Sequence, residues 1–464
     1  MKIKVTQGVE KTREELIELA EKYMWFPLEA EQTIYREPGK IAVSQSGEYF
    51  TDIFGNTYLE SLSGFAGCTL GRTNSYIIEA IIEELRSNPI VVSRIGATPK
   101  QILLSQRTAE RMPDKGEHLN RVCYGLGGSD ANETAFKIAR LYWKIKGKGS
   151  KYKVISRWGS FHGCGIASLA ASGGFPYTRR RAGAEPLVPG FVHMNPPHCY
   201  FCPYNLTYPD CNLECAEELA RVIEQEGPST VAAWVGDLVI TALGPLPAPP
   251  EYAKRIREIC DKYEILMIAD EVITGWGRMG MWTASEYYGV VPDMITLAKG
   301  FQALYTPLSA TVVKDKIAGV FTGDNLLDHV YTMAGSPISC ACGLAVIEYI
   351  EKHNILAEVK RKGALGKVWN EKLEQDFKCV GTTYSIGLEF GMQLVKNKKK
   401  RERFTDEDAV SKVLIEVGRK NNILLVPFHG VVLIAPSLTI TDEELLRIFD
   451  TVREGLTEVE RQFL

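Results

Sequence analysis

The ten residues PDMITLAKGF, 292–301 of a 464-residue chain, place a lysine where a buried strand should end. Met294 to Ala298 is a short, mostly apolar run, and Lys299-Gly300 follows it at once. Lysine is among the side chains least often buried without a partner. A strand that delivers an amine to the rim of a core therefore asks for chemistry at that rim. Four more apolar runs of similar length precede it: RVCY (121–124), YKVIS (152–156), VAAWV (231–235) and ILMIA (265–269). Helical stretches such as ANETAFKIARLYWKI and PPEYAKRIREICDKY lie between them. This alternation, from about 70 to 325, predicts a mainly parallel sheet covered by helices.

In open α/β sheets, ligands bind outside the carboxyl ends of the strands. Here those ends run into GLGGSDANE, RWGSFHG, Gly236-Asp237, Asp270-Glu271 and Lys299. In GGSDANETAFKIAR two glycines and a serine open a helix whose apolar face is Ala131, Ala135, Ile138 and Ala139. A helix start offers unpaired N–H groups and a positive dipole end, which suits a phosphate. The plainer reading is an N-cap by Ser129 or Asp130, with Glu133 completing a capping box. Asp270 follows five apolar residues and needs a cation or donors, with Arg278 as a structural candidate. Lys299 has its own plain reading, a salt bridge to Asp270 or Glu271. Yet an amine in a partly apolar pocket loses basicity and becomes a nucleophile for aldehydes. A phosphate cup, a lysine, a carboxylate and the Phe161-His162 pair on one edge together fit pyridoxal 5′-phosphate (PLP). That cofactor needs a Schiff-base lysine and a carboxylate at its pyridine nitrogen.

Outside this block, residues 12–24 predict an amphipathic helix and 40–61 predict hairpin strands turning at Gly47 and Gly55-Asn56. Residues 338–376 read as long helices, 387–395 and 431–438 as strands, and TDEELLRIFDTVREGLTEVE as a capped terminal helix. KNKKKRER (396–403) reads as a solvated loop. The chain carries 54 basic and 57 acidic residues, a net charge of −3 that asks for neither nucleic acid nor an anionic membrane. Its apolar runs are too short to span a bilayer. The charged, periodic N-terminus makes a poor signal peptide, and eleven cysteines without one predict a reducing cytoplasm.

The chain resembles the class III (ω-amino acid and amine) PLP-dependent aminotransferases. The resemblance rests on GGSDANETAFKIARLYW, the FHG turn (161–163), IADEVITGWGRMG, PDMITLAKGFQALYTPLSA and YTMAGSPISCACGLA, in that order along nearly the whole chain. It implies an α/β, fold type I, aspartate aminotransferase-like architecture: a large, mainly parallel seven-stranded sheet domain plus a smaller α+β domain. The implied division is 1–69 as an N-terminal segment of the small domain, 70–330 as the PLP-binding domain, and 331–464 as the C-terminal small domain. The implied roles are Lys299 as Schiff-base lysine and proton shuttle, and Asp270 as partner of the pyridine nitrogen. Val272 and Phe161 flank the ring, Gly128 and Ser129 bind phosphate, and His162 backs the ring aromatic and Asp270. Thr332 reaches the phosphate of the neighbouring subunit, which implies shared sites in a homodimer, with a tetramer as the larger assembly. Asp237 stands where the family carries Glu in a Glu-Pro pair; here the pair is Asp237-Leu238.

The implied activity moves an amino group from a small-molecule donor to an oxo acid in two half-reactions. Two departures bear on the donor. Val426 stands where many ω-aminotransferases carry an arginine that clamps an α-carboxylate, and Ala66 replaces a tryptophan in SGFAGCTLG. Both remove charge or bulk, which predicts an ω- or β-amino acid or amine donor with pyruvate as acceptor. The alternatives are 2-oxoglutarate as acceptor, taurine or a β-aminoacyl thioester as donor, and an aminomutase on the same scaffold. Arg179-Arg180-Arg181 is either solvated or a substitute cation. From another class altogether, Cys199, Cys202, Cys211 and Cys215 (C-x2-C-x8-C-x3-C) would suit a metal-binding interaction protein. Zinc fits that spacing loosely; disulfides or plain buried thiols are the other readings. No catalytic metal is expected.

Overall fold

The computed structural model describes residues 2–27, 32–88, 96–174 and 181–464. Its centre is a seven-stranded sheet formed by β1 (Leu119–Gly125), β2 (Lys153–Arg157), β3 (Phe191–Met194), β4 (Val231–Gly236), β5 (Leu266–Asp270), β6 (Met294–Leu297) and β7 (Ser309–Lys314). The order across the sheet is β1-β7-β6-β5-β4-β2-β3. Only β7 runs against its neighbours β6 and β1; the other pairings are parallel. β1, β2, β4, β5 and β6 therefore end at one edge, the arrangement expected from the apolar runs.

The strands read as continuous apolar segments because both sheet faces are covered. On one face Val154, Val235 and Ile268 pack with Ala135, Ile138 and Ala139 of α1 (Gly128–Ile145). On the other, Ile155, Trp234 and Met267 meet the helices Glu214–Glu226 and Tyr252–Lys262. Neighbours along each strand point to opposite cores, as a two-residue period requires. Each fully buried large apolar side chain contributes about 1.5–3 kcal/mol relative to an exposed one.

A second layer is built from both chain ends. Strands Ala42–Ser46, Tyr49–Asp52 and Thr57–Glu60 form an antiparallel ribbon, and Ile423–Leu424 joins its edge in parallel. A three-stranded antiparallel sheet (380–386, 389–394, 431–434) packs beside helices Ile355–Asp376 and Asp442–Phe463. Both the early helix Arg13–Tyr23 and the terminal helix carry complete capping boxes, from Thr12 with Glu15 and Thr441 with Glu444. The helix Pro337–Lys352 packs against helices Ser75–Ser87 and Pro99–Ala109.

The basic run 396–403 is a mostly exposed turn region, as the charge pattern predicts, although several of its cations are engaged. Lys398 donates to the Glu374 carbonyl and Arg401 to that of Tyr200, while Arg403 stacks 4.2 Å from the Phe201 ring centroid. The half-buried Phe201 ring and the Tyr200 carbonyl, on the 198–204 segment, supply cation–π and hydrogen-bond partners for Arg403 and Arg401 that a charge pattern alone does not reveal. That segment holds the four-cysteine motif. All four cysteines are free thiols lining one small cavity with Pro197 and His198. Among the described residues, no group of three or more His, Cys, Asp or Glu side chains is arranged to hold a metal ion. No helix among them is long and apolar enough to cross a membrane.

Candidate active site

Lys299 begins a short 3-10 turn directly after β6, with its backbone in the left-handed region at φ 47°. A bulky residue occupies that region at a cost of about 1–3 kcal/mol, a strain that clusters at functional sites. Gly300 follows because a Cβ there would stand 3.2 Å from the Gly275 carbonyl oxygen and from Trp276 Cβ. Among the described residues Lys299 has no salt bridge, so the plain pairing with Asp270 or Glu271 is absent. Glu271 is instead consumed by Thr274, the Ala284 and Ser285 amides and the Ser285 hydroxyl. Desolvation pushes the Lys299 amine down to about 8, against the carboxylates of Asp270 and Glu389, while Arg278 pushes with it. A substantial fraction of free amine near neutral pH is what a lysine nucleophile requires.

Asp270 ends β5, nearly buried at 5% exposure. Its Oδ2 faces His162 Nδ1 at 2.7 Å and accepts from Asn132 Nδ2 at 2.8 Å, and its Oδ1 accepts from the Val272 amide at 3.0 Å. Arg278 is not its partner. That buried guanidinium donates to the carbonyls of Leu388, Pro436 and Ala66 and so ties three loops together. Asp270 is thus held by neighbours that fix its orientation, His162 among them.

The start of α1 lies beside Val272. A Cβ on Gly128 would come within 2.9 Å of Val272 Cγ1, so glycine is required for this approach. The predicted capping box is absent. Gly127 is the N-cap and offers no side-chain bond, and Asp130 Oδ2 accepts from the Leu126 amide. Glu133 turns away to the Ser168 amide and hydroxyl. The first-turn N–H groups of α1 therefore lack a side-chain cap, the condition for anion binding at a helix start. Ser129 Oγ accepts from the Cys164 amide at 3.1 Å, which pins the 161–165 turn to this helix.

Asp237 is more committed than the sequence suggested. Its Oδ1 accepts from fully buried Arg157 at 2.8 Å and from Ser160 Oγ at 2.7 Å, locking the end of β4 to the end of β2. Phe161 packs against Ile240, Ala242, Leu243 and Leu246 at the same edge. Thr332 lies elsewhere: it is exposed on the turn before helix Pro337–Lys352 and makes no hydrogen bond among the described residues. Ala66 and Val426, singled out as departures, fall in one apolar cluster with Leu62, Ile273, Leu433 and Phe428. Arg181 is spent on the carbonyls of Ser172 and Ala170 and stacks over Trp158. Arg179 and Arg180 lie outside the described residues.

Sequence reasoning missed Asn132, Thr296 and Glu389. Thr296 Oγ1 donates to Asn132 Oδ1 at 2.9 Å, which sets the amide to donate toward Asp270 and the His162 carbonyl. The signal was available for Asn132, which sits one turn into the quoted helix. Glu389, in GLEFGMQLV, carried none, because a carboxylate in a strand reads as solvent-facing.

An activated lysine, an oriented carboxylate and an uncapped helix start on one sheet edge define an enzyme that works through an aldehyde cofactor bearing a phosphate. The sequence profile of the class III aminotransferases (Aminotransferase class-III) matches residues 35–456, and the chain belongs to that family. It is 36% identical to a probable aminotransferase of Mycobacterium tuberculosis, covering 91% of each chain. It is 32% identical to a putrescine–pyruvate aminotransferase of Pseudomonas aeruginosa, over 90% of this chain and 91% of that one. Among solved structures, an (S)-enantioselective ω-transaminase from Thermomicrobium roseum superposes with a TM-score of 0.91 at 31% identity, over 97% of this chain and 99% of the other. The protein is a PLP-dependent transaminase of fold type I. Its residues fit PLP: besides the uncapped helix start and the weakened lysine, buried His162 Nε2 has no partner among the described residues.

Proposed function

We propose that this enzyme transfers an amino group from an ω- or β-amino acid or simple amine to pyruvate, with Lys299 and Asp270 as its catalytic residues. PLP, when bound, supplies an electron sink for the donor carbon. The chain's own residues do the rest. The Lys299 amine would take the proton from the donor carbon as general base and, as general acid, deliver it to the cofactor's aldehyde-derived carbon. Asp270, oriented by Asn132 and His162, holds a proton at the pyridine nitrogen. Gly128, Ser129 and the first-turn amides of α1 bind phosphate, and Val272 and Phe161 flank the ring. Asp237 borders this site through its tie to Arg157.

The observation that carries the donor assignment is the cluster holding both Ala66 and Val426. Apolar side chains stand where a clamp for an α-carboxylate would require a guanidinium, and an unpaired buried carboxylate is costly. A relative with a diamine donor and pyruvate acceptor supports the same direction. The test follows the cofactor band while alanine, glutamate, β-alanine, taurine, an arylalkylamine and a β-aminoacyl thioester are each offered as donor, with pyruvate or 2-oxoglutarate as acceptor. Glutamate as much the best donor with 2-oxoglutarate the best acceptor would overturn the assignment.

The assembly we propose is a homodimer in which Thr332 completes the neighbour's phosphate site. Its exposure beside exposed Val330 and Met333 supports a surface that a second copy covers. Eleven free thiols fit a reducing compartment, and we place the enzyme in the cytoplasm.

A further inference from the structure

Thr332 sits on a stretch with little packing of its own. Leu326, Asp328, Val330, Thr332 and Met333 are exposed, and residues 325–330 belong to no helix or strand. A segment with so few buried contacts keeps one conformation only if something ties it down. The tie is His329. Its half-buried ring reaches two side chains of α1, with Nε2 at 2.8 Å from Thr134 Oγ1 and Nδ1 at 3.2 Å from Lys137 Nζ. The Tyr331 ring meets it edge-on, with centroids 5.0 Å apart.

The partners dictate where the ring carries its proton. Thr134 donates its one hydroxyl proton to the Asp130 carbonyl at 2.7 Å, so toward His329 it can only accept. The Lys137 ammonium can only donate, so Nδ1 has to accept. One form of the ring makes both contacts at once: the neutral one, with its proton on Nε2. A second proton would sit on Nδ1 and face the Lys137 ammonium, donor against donor and charge against charge. The charged and titratable groups around the ring are Lys137, Asp130 and Glu133 on α1 and Tyr331 on its own segment. Burial first, then Lys137, lowers the pKa of His329 from its ordinary 6.5, while Asp130 and Glu133 oppose the shift. The neutral form, with both bonds made, is therefore fully present above about pH 6.5 and lost as the medium turns more acid.

We infer that His329 is the positioning residue for Thr332: a clasp, closed when neutral and opened by a proton, that fixes the partner-facing turn to α1. That helix then serves two cofactors. Its first turn, with Gly128 and Ser129, takes the phosphate of its own subunit, and Thr134 and Lys137 further along hold the turn that reaches the neighbour's phosphate. This rests on the reading of Thr332 as a contact to the neighbouring subunit's cofactor.

The test measures PLP affinity of the full-length protein by absorbance titration, without turnover. At about pH 8, His329→Ala is expected to bind PLP about three- to tenfold more weakly, the size of an ordinary lost hydrogen bond, and Thr332→Ala at least as weakly. The decisive variant carries both changes. It is expected to bind no more weakly than Thr332→Ala alone, because a clasp without Thr332 has nothing left to place. Additive losses would make His329 a merely structural residue and overturn the inference. A second arm compares wild type with His329→Gln, whose amide donates and accepts but does not titrate. The ratio of wild-type to variant affinity is expected to fall severalfold between about pH 8 and about pH 5.5, where histidine gains its proton; a ratio that stays flat overturns the inference. If the turn variants fail to fold, Lys137→Met on the exposed helix face is the probe. It removes the opposing charge, so its affinity relative to wild type should rise toward acid, and a flat ratio again overturns the inference. Thr332→Ala separates the two failures. If it weakens PLP binding and His329→Ala does not, only the His329 role falls. If Thr332→Ala binds PLP like wild type, the reading of Thr332 falls and the clasp with it.

Discussion

Asn132 Nδ2 stands 2.8 Å from Asp270 Oδ2 and 2.9 Å from the His162 carbonyl oxygen, so one side-chain amide fixes the carboxylate and the turn behind it together. The amide is oriented in turn by Thr296, one strand over. Asp270 is therefore aimed by a chain of bonds running from β6 through α1 to β5.

Asn132→Ala is expected to leave the fold intact and to lower kcat by about 10- to 100-fold, matching a lost hydrogen bond to a charged group of about 1.5–3 kcal/mol. Asp270→Asn should fall further, because it removes the charge rather than its orientation. Steady-state kinetics with cofactor saturation checked by absorbance would measure both; equal activity of Asn132→Ala and wild type would show that His162 alone suffices.

Lys299→Ala should abolish turnover and the cofactor's lysine-linked absorbance while leaving thermal stability equal or higher. The amine is desolvated without a salt bridge, so its removal relieves a buried polar group. Retained full activity would remove Lys299 from the mechanism.

Gly128 and Val272 should show coupled energetics. Gly128→Ala pushes a methyl into Val272 and is expected to cost about 1–3 kcal/mol by overpacking, read as weaker PLP retention and a lower Tm. Val272→Ala in the same chain should recover part of that loss, giving a coupling of about 0.5–3 kcal/mol in a double-mutant cycle. Strict additivity would mean that the helix start moves away from the site instead.

His198 should make the folded protein sensitive to mild acid. Burial first, then Arg403, pushes its pKa from 6.5 down to about 4, and its Nδ1 accepts from the Phe201 amide at 3.2 Å as a neutral ring. Between those values the unfolded chain binds the proton and the folded one does not. Stability is then fully present above about pH 6.5 and falls as pH drops toward about 4, by about 3 kcal/mol from this group. Urea melts of wild type and His198→Asn at about pH 7.5 and about pH 5 would measure it. The variant should be less stable near neutrality but flatter with pH, and a parallel pair of curves would contradict the assignment.

Mixed dimers test the shared site. Chains carrying Lys299→Ala and chains carrying Thr332→Ala, unfolded together and refolded, should regain activity above either parent. In a heterodimer one site then receives both changes and the other neither. Activity at the parental average would place Thr332 outside the partner's site.

The sheet, its edge and the two central residues were legible because apolar runs flanked by helical periods leave few alternatives, and charged residues at strand ends break the pattern visibly. Lys299 and Asp270 announce themselves in this way. Glu389 does not: its strand is buried on both faces, and only the packing of the 241–243 turn and the 271–280 loop reveals the carboxylate as interior. The missing capping box at α1 has the same origin, since Glu133 is captured by Ser168, 35 residues along the chain. Local sequence predicts which bonds a residue is able to make; tertiary neighbours decide which it makes.

The pairing of the two chain ends also constrains how this protein can be made. Ser61 Oγ bonds the Leu424 carbonyl across 363 residues, and Leu59 pairs with Ile423 in the same ribbon. A ribosome adding about 5–20 residues per second needs on the order of half a minute to produce that partner. During this interval the first ribbon waits with an open edge, the kind of surface that chaperones cover and that aggregates recruit. A nascent chain halted before residue 423 should therefore be captured or degraded, however complete its seven-stranded sheet already is.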